Sequence, residues 1–310
     1  MRVLLTGCAG FIGTNLLRAL LSRGYEVVGV DNFITSSSKN IEMFLNNPNF
    51  KFLEHDISQP LYLDEDIDWV LHFASPASPA HYFKYPIKTL KAGMLGTYNC
   101  LGIAKAKKAR FFLASTSEVY GDPLAHPQKE DYYGNVNPIG ERSCYDESKR
   151  VAEALTFAYH RKHQINIRVA RIFNTYGPHM RPDDGRVVSN FIVQCLRNED
   201  LTIYGDGKQT RSFCYIDDLV EAITRYMDAD YSGPLNLGNP QEFTVLKLAE
   251  LVRSLTSSSS NIKFLPALED DPQRRCPDIG LAKKLLNWEP EIPLEEGLRR
   301  TVDYFRERIK

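Results

Sequence analysis

In the stretch Cys144-Tyr145-Asp146-Glu147-Ser148-Lys149 a phenol and an ammonium stand four residues apart, a spacing that puts both on one face of a helix. An ammonium beside a phenol stabilises the phenolate and lowers its pKa from about 10, as a base working at neutral pH requires. The expectation is a tyrosine base assisted by a lysine, on a helix running to about His163. The spacing recurs at Tyr204 and Lys208, but Gly205 and Gly207 interrupt it and disfavour the helix that would align that pair. A second group with chemical capacity is Ser115-Thr116-Ser117-Glu118, directly after the apolar run Phe111 to Ala114. Hydroxyls and a carboxylate at a strand end are costly to bury without partners, so a site is expected there.

A third stretch, Val3 to Gly13, places glycines at 7, 10 and 13 between an apolar strand and the helical pattern Phe11 to Leu21. Residues without a Cβ let the chain reverse sharply and bring its N–H groups against a pyrophosphate at the helix N-terminus. The spacing is G-x-x-G-x-x-G rather than the usual dinucleotide G-x-G-x-x-G. The next strand, Glu26 to Val30, ends in Asp31, where an acidic side chain takes the ribose hydroxyls of NAD. Ser36 to Ser38 and Lys39 would welcome the 2′-phosphate of NADP, whereas Asp31 would repel it, which makes NAD the expected cofactor. After the third strand Asp56 is placed to meet adenine, and after the fourth Ala74-Ser75-Pro76-Ala77-Ser78-Pro79 lets backbone and cofactor lie close.

The rest of the composition narrows the class. The charge is nearly balanced, 38 basic against 39 acidic residues, so no nucleic-acid or membrane-surface partner is expected. The six cysteines show no C-x-x-C and fit reduced, buried thiols. No H-E-x-x-H or similar spacing occurs, so no metal is expected; His160 and His163 read as a solvated helix end. No apolar stretch approaches about 20 residues, and the first strand begins at once, so a cytoplasmic protein is expected.

These groups need elements to hold them. Short strands (Val3 to Leu5, Glu26 to Val30, Phe50 to Leu53, Trp69 to Phe73, Phe111 to Ala114, Ile167 to Ile172) alternate with helical patterns, among them Ile87 to Lys107. That alternation predicts an α/β fold, a Rossmann-type doubly wound parallel sheet with ligands at the carboxyl ends of its strands. Beyond Ile172 the alternation loosens into loops around the helix Val188 to Arg197, predicting a smaller C-terminal substrate-binding lobe. Phe213 to Tyr226 and Leu235 to Leu237 are expected to return to the main sheet. Helix Val245 to Leu255, a Ser257 to Ser260 loop, strand Ile262 to Leu265 and helix Leu294 to Arg308 complete the expectation.

Together the glycine motif, Asp31, Thr116 and Tyr145/Lys149 resemble the extended short-chain dehydrogenase/reductases that modify nucleotide sugars. Several stretches resemble the UDP-glucuronic acid decarboxylase (UDP-xylose synthase) family in particular: His72 to Pro79, Ser115 to Pro123, Asn137 to Gly140, Cys144 to Arg150, Ala170 to Pro178, Asp184 to Phe191, Gln209 to Phe213, Asn236 to Pro240 and Asp271-Pro272-Gln273-Arg274-Arg275. The likeness spans nearly the whole chain. Against the pattern, Gly93 stands where an asparagine is customary, Glu141 where a proline is, and Ser36 to Ser38 where a G-R-K-like stretch is. The expectation is that Gly93 loosens the cofactor-side wall and Glu141 the approach to Tyr145.

The resemblance implies the following chemistry. NAD⁺ takes hydride from C4 of UDP-glucuronate while Tyr145, assisted by Lys149 and Thr116, takes the hydroxyl proton. The β-keto acid loses CO₂, C5 is protonated, and return of the hydride yields UDP-xylose. Glu118 is implied in proton delivery, and Arg275 beside the sugar carboxylate or the C5 proton, or else as a diphosphate clamp. NAD would be held by Gly7, Gly10, Phe11, Ile12, Gly13, Asp31, Asn32, Asp56, Ile57, Ala74, Ser75, Ala77, Tyr145 and Lys149. The UDP-sugar would meet Ser117, Glu118, Asn174, Val187, Val188, Phe191, Tyr204, Arg211 and Arg275. Residues 1–172 would form the NAD-binding domain, with 211–238 returning to it, and 173–310 mainly the UDP-sugar lobe, in a homodimer. The alternatives are a UDP-sugar 4-epimerase and a decarboxylase releasing a 4-keto pentose or a branched pentose. Thr116-Ser117-Glu118 lacks the aspartate of the 4,6-dehydratases, which argues against dehydration.

Overall fold

A computed structural model describes residues 1–266 and 274–309. Six strands, β1 (Arg2–Thr6), β2 (Glu26–Asp31), β3 (Phe50–Glu54), β4 (Trp69–His72), β5 (Arg110–Thr116) and β6 (Ile167–Ile172), join an edge strand, Pro234–Leu237, in one seven-stranded sheet. The order across it is β3, β2, β1, β4, β5, β6, edge strand, with every pairing parallel. The order reverses direction between β1 and β4, which opens a crevice at their carboxyl ends.

The strands read as continuous apolar runs because helices cover both faces. Side chains alternate between two cores: Val3, Leu5, Val27, Trp69, Leu71 and Phe112 on one side, Leu4, Val28, Val70, Phe111, Leu113 and Val169 on the other. Helix α1 (Phe11–Ser22) lies on the first side against helix Ile216–Asp228. The second side takes helix Thr97–Lys107 and the Tyr145 helix, Ser143–His163.

Two expectations need correction. Of Phe213 to Tyr226 only Cys214–Tyr215 is extended, pairing with Thr175–Tyr176 outside the main sheet. The remainder is helix Ile216–Asp228, with Asp217 and Asp218 in its first turn, where acidic groups suit the helix dipole. Leu219, Ile223 and Tyr226 are buried along it at helical spacing. Secondly, Ile87 to Lys107 is not one regular helix: Pro86–Lys91 and Thr97–Lys107 are joined by a π turn at Ala92–Gly96. Gly93 lies in that turn, where a Cβ would stand 2.5 Å from the Ser148 Cβ. It therefore lets this segment press on the Tyr145 helix.

Beyond β6 the chain builds smaller sheets. Glu242–Thr244 pairs antiparallel with Thr210–Ser212, and Arg274–Arg275 pairs parallel with the same strand. Ile262–Leu265 pairs with Leu201–Tyr204. Helix Val187–Leu196 packs against helix Val245–Thr256, and the chain closes with helix Leu294–Arg306. Asp271, Pro272 and Gln273, part of the decarboxylase-like stretch, lie outside the described residues.

Candidate active site

A cavity of about 540 Å³ runs from the glycine turn to the small sheets, within the 300–1,000 Å³ usual for ligand sites. A smaller one of about 70 Å³ continues it past Gly7 and Gly10 to Asp31, Asn32, Asp56, Ile57 and Ala74. The expected cofactor residues thus line one continuous groove across the switch point of the sheet. Phe11, Ile12, Gly13, Ser75, Ala77, Tyr145 and Lys149 line its larger part.

The glycine turn is shaped for a close approach. Gly7 has φ +73°, and a Cβ on it would meet the Ala74 backbone nitrogen at 2.8 Å. A Cβ on Gly13 would lie 1.9 Å from the Gly7 carbonyl oxygen. Bare backbone is the only solution here, and it presents the N-terminus of α1 to the groove, as a pyrophosphate requires. Asp31 is buried, accepting from the Ala9 N–H at 3.0 Å, the Phe33 N–H at 2.9 Å and the Ser36 hydroxyl at 2.7 Å. Ser36 therefore holds the carboxylate in place. Asp56 pairs with Lys88 at 3.1 Å and accepts from the Ser58 N–H and hydroxyl at 3.0 and 2.7 Å.

At the other end Tyr145 is buried on the floor of the cavity, its ring stacked on Tyr82 with centroids 5.3 Å apart and planes 9° apart. Lys149 Nζ is 5.8 Å from the centre of the Tyr145 ring and donates to the Ala114 carbonyl at 2.9 Å. The sequence expectation of a lowered phenol pKa is not met in this state. Burial raises Tyr145 to about 12, against a hydrogen bond with Thr116 that lowers it. Burial also lowers Lys149 to about 8. Desolvation is the largest influence on both groups.

Thr116 ends β5, and its hydroxyl accepts from the Glu118 N–H at 3.2 Å, capping the short turn Ser117–Tyr120. That turn aims Glu118 back into the site. Its carboxylate receives Arg142 Nη2 on Oε2 at 2.5 Å and Arg275 Nη1 on Oε1. Despite burial, which opposes ionisation, the two guanidiniums hold Glu118 at about 2. Glu118 is accordingly ionised and held between the two guanidiniums. Arg275 is buried and also donates to the Gly121 carbonyl at 3.2 Å. Asp146, beside them, is raised to about 7, chiefly by burial and then by the charge on Glu118.

The substrate-side residues converge on the same space. Ser117, Asn174, Val187, Val188, Phe191, Tyr204 and Arg211 all line the larger cavity, as does Glu141. Arg211 and Arg275 face each other in register on neighbouring strands. Sequence reasoning missed Arg142 and Tyr82. Arg142 precedes Tyr145 by three residues, a helical spacing that puts the two side by side and was available as a signal. Tyr82 carried none, since only folding brings helix Pro79–Lys84 over Tyr145.

A Rossmann sheet, a glycine turn at its switch point and a buried Tyr-x-x-x-Lys pair define a short-chain dehydrogenase/reductase of the extended, nucleotide-sugar type. The family described as GDP-mannose 4,6 dehydratase matches residues 4–301. Over 309 residues the chain is 55% identical to UDP-glucuronic acid decarboxylase 1 of Arabidopsis thaliana, covering 100% of this chain and 71% of that protein. It is 54% identical to the protein of that name from Danio rerio, covering 100% and 73%. The chain belongs to the UDP-glucuronic acid decarboxylase family. Among solved structures it resembles the UDP-glucuronic acid 4-epimerase of Bacillus cereus in complex with UDP-glucuronic acid and NAD, with TM-score 0.90, 31% identity, and 99% and 100% coverage. The UDP-glucose 4-epimerase of Thermotoga maritima with UDP-glucose gives TM-score 0.91 and 29% identity, covering 100% of both chains.

Proposed function

We propose that this chain is an NAD-dependent carboxy-lyase that converts UDP-glucuronate to UDP-xylose. The observation that carries the reading is the Glu118 carboxylate clamped by Arg142 and Arg275 in the cavity that holds Tyr145. With Asp146, raised to about 7, in its protonated form, two guanidinium charges against the Glu118 carboxylate leave a surplus of one positive charge, suited to a sugar carboxylate. Arginine's planar fork fixes such a group in one orientation.

The bare backbone at Gly7 and Gly13 leaves room for NAD, with Gly10, Phe11, Ile12 and Asp31 at its adenosine and diphosphate end and Ala74, Ser75, Ala77, Tyr145 and Lys149 toward the nicotinamide. When bound, NAD supplies a reversible two-electron acceptor at C4 of the sugar and is regenerated in each turnover. Tyr145 takes the C4 hydroxyl proton, with Thr116 hydrogen-bonded to it. For that role its phenol must fall below the value of about 12 that burial gives it in the free chain, which the positive charges of Lys149 and of bound NAD⁺ would favour. Loss of CO₂ leaves an enolate on the C4 oxygen, which the Tyr145 and Lys149 pair stabilises. Arg275 holds the departing carboxylate, and Glu118, ionised, holds Arg275 and orients a solvent proton toward C5. Ser117, Asn174, Val187, Val188, Phe191 and Tyr204 enclose the uridine and sugar, and Arg211 takes the diphosphate. In this reading 1–172, with the return at 211–238, carries NAD, and 173–310 mainly carries the UDP-sugar.

Two coarser features support a setting. Among the described residues no helix is long and apolar enough to cross a membrane, and all six cysteines are free and buried, as fits the reducing cytoplasm. Ile87, Leu90, Met94 and Tyr98 form an exposed apolar stripe, from 42% to 67% exposed, on the segment packed against the Tyr145 helix. Such a stripe suits a homodimer contact.

The test is incubation with UDP-glucuronate and catalytic NAD⁺, following CO₂ and identifying the sugar nucleotide by NMR. CO₂ with UDP-xylose and no net NADH is expected. UDP-galacturonate without CO₂ would instead support the epimerase reading, which the likeness to the Bacillus cereus enzyme favours. Accumulating NADH would mean release of the 4-keto pentose.

A further inference from the structure

Three side chains with metal-ligand chemistry, remote in sequence, meet on the substrate side of the molecule. One ligand atom from each of His126, Glu242 and Cys276 lies within 4.8 Å of the other two. His126 Nε2 is 3.0 Å from Glu242 Oε2. Cys276 is buried while His126 is exposed, so the group has a dry sulfur end and a wet rim through which an ion can enter.

The segments that bear these groups are tied to one another. Gln128, fully buried two residues beyond His126, donates its N–H to the Cys276 carbonyl at 2.9 Å. In return the Cys276 N–H donates to Gln128 Oε1 at 2.9 Å. Glu242 Oε1 accepts from the Thr210 hydroxyl at 2.5 Å, an outer contact of the kind that orients a ligating carboxylate and leaves its second oxygen for an ion. A set of one sulfur, one imidazole nitrogen and one carboxylate oxygen suits a borderline cation and not calcium or magnesium, which take oxygen ligands. A divalent charge against a thiolate and a carboxylate leaves the site neutral, which limits the cost of burial.

We propose that His126, Glu242 and Cys276 form a three-ligand zinc site, with its fourth position open to water at the His126 rim. On binding, the Cys276 S–H bond breaks, a sulfur–metal bond forms, and the proton leaves to solvent. His126 binds as the neutral imidazole through Nε2, and no electron is transferred. The ion ties Glu242–Thr244 to the residue following Arg275, and these two strands flank Thr210–Ser212, which carries Arg211. Occupancy therefore holds Arg211 and Arg275 in one arrangement and slows turnover, a consequence that rests on the function proposed above, whereas the binding does not.

The test is titration of Co²⁺ into the reduced, chelator-treated full chain. One equivalent is expected to produce a thiolate-to-cobalt charge-transfer absorption in the near ultraviolet that Zn²⁺ abolishes by displacement. Cys276→Ser removes the band, and His126→Asn weakens cobalt binding at least about tenfold, while both variants keep the thermal unfolding midpoint of the metal-free parent. Absence of the band, its survival in Cys276→Ser, or unchanged affinity in His126→Asn overturns the site. In the assay for CO₂, zinc is expected to slow the parent and not Cys276→Ser. Equal inhibition of both, or none in a zinc-loaded parent, overturns the link to Arg211 and Arg275 while the cobalt result stands.

Discussion

Arg142 donates to Oε2 of Glu118 at 2.5 Å from the residue that opens the Tyr145 helix. The carboxylate of the site is therefore tied to the same helix as its phenol, and a displacement of one is transmitted to the other. Breaking a buried pair from one side leaves an uncompensated charge, worth about 3–5 kcal/mol. Here Arg275 remains as a second partner for Glu118, so the loss on removing Arg142 should fall below that range.

Arg142→Met should accordingly lower kcat/KM for UDP-glucuronate by at least about tenfold, equivalent to about 1.4 kcal/mol, with the fold retained. Arg142→Lys should recover only part of this, because an ammonium lacks the planar fork. Steady-state kinetics with a thermal melt of each variant tests it; unchanged kinetics in Arg142→Met would remove Arg142 from the site.

Tyr145→Phe should leave NAD bound and reduce turnover by about 10²–10⁴, the usual range for a lost proton-transfer group. The ring stack on Tyr82 survives the change, so folding should be little affected. Retained substantial CO₂ release would mean that another group is the base.

Glu118 supplies a pH dependence whose sign follows from its environment. Its carboxyl is held at about 2 in the folded chain by Arg275 and Arg142, against about 4.3 in an unfolded one. Between those values the unfolded state binds more protons, so stability rises with pH across this window. The contribution is present above about 4.3 and lost as pH falls through about 2. Urea unfolding from pH 2 to 5 should show a shallower slope for Glu118→Gln than for the parent, and identical slopes would show that the ion pairs do not form in solution.

Gly93→Ala should destabilise the fold by about 1–3 kcal/mol, the usual cost of overpacking, because the new methyl meets the Ser148 side chain at 2.5 Å. A double variant with Ser148→Gly should restore only part of the loss, because the Ser148 carbonyl oxygen would still stand 2.8 Å from the new methyl. A neutral Gly93→Ala would mean that the π turn relaxes and does not set the distance between the two helices.

By itself the sequence determined the sheet, the glycine turn and the Tyr145 helix. Each is specified by local pattern: a parallel strand by an apolar run, the turn by residues without Cβ, and the helix by spacing along one face. Ile167 to Ile172 matches the observed β6, and the expected strand Glu26 to Val30 falls one residue short of β2, which includes Asp31. The resemblance, carried by particular strings, brought Glu118, Arg211 and Arg275 into the same reading.

What only the tertiary structure decided is how those groups share charge and space. The partners of Glu118 come from positions 142 and 275, and no periodicity links residues so far apart. Tyr82 over Tyr145, Gly93 against Ser148 and the meeting of His126, Glu242 and Cys276 are likewise products of packing. The protonation states follow for the same reason. Burial is a property of the assembled chain, and it raises Tyr145 to about 12 although Lys149 is only one helical turn away.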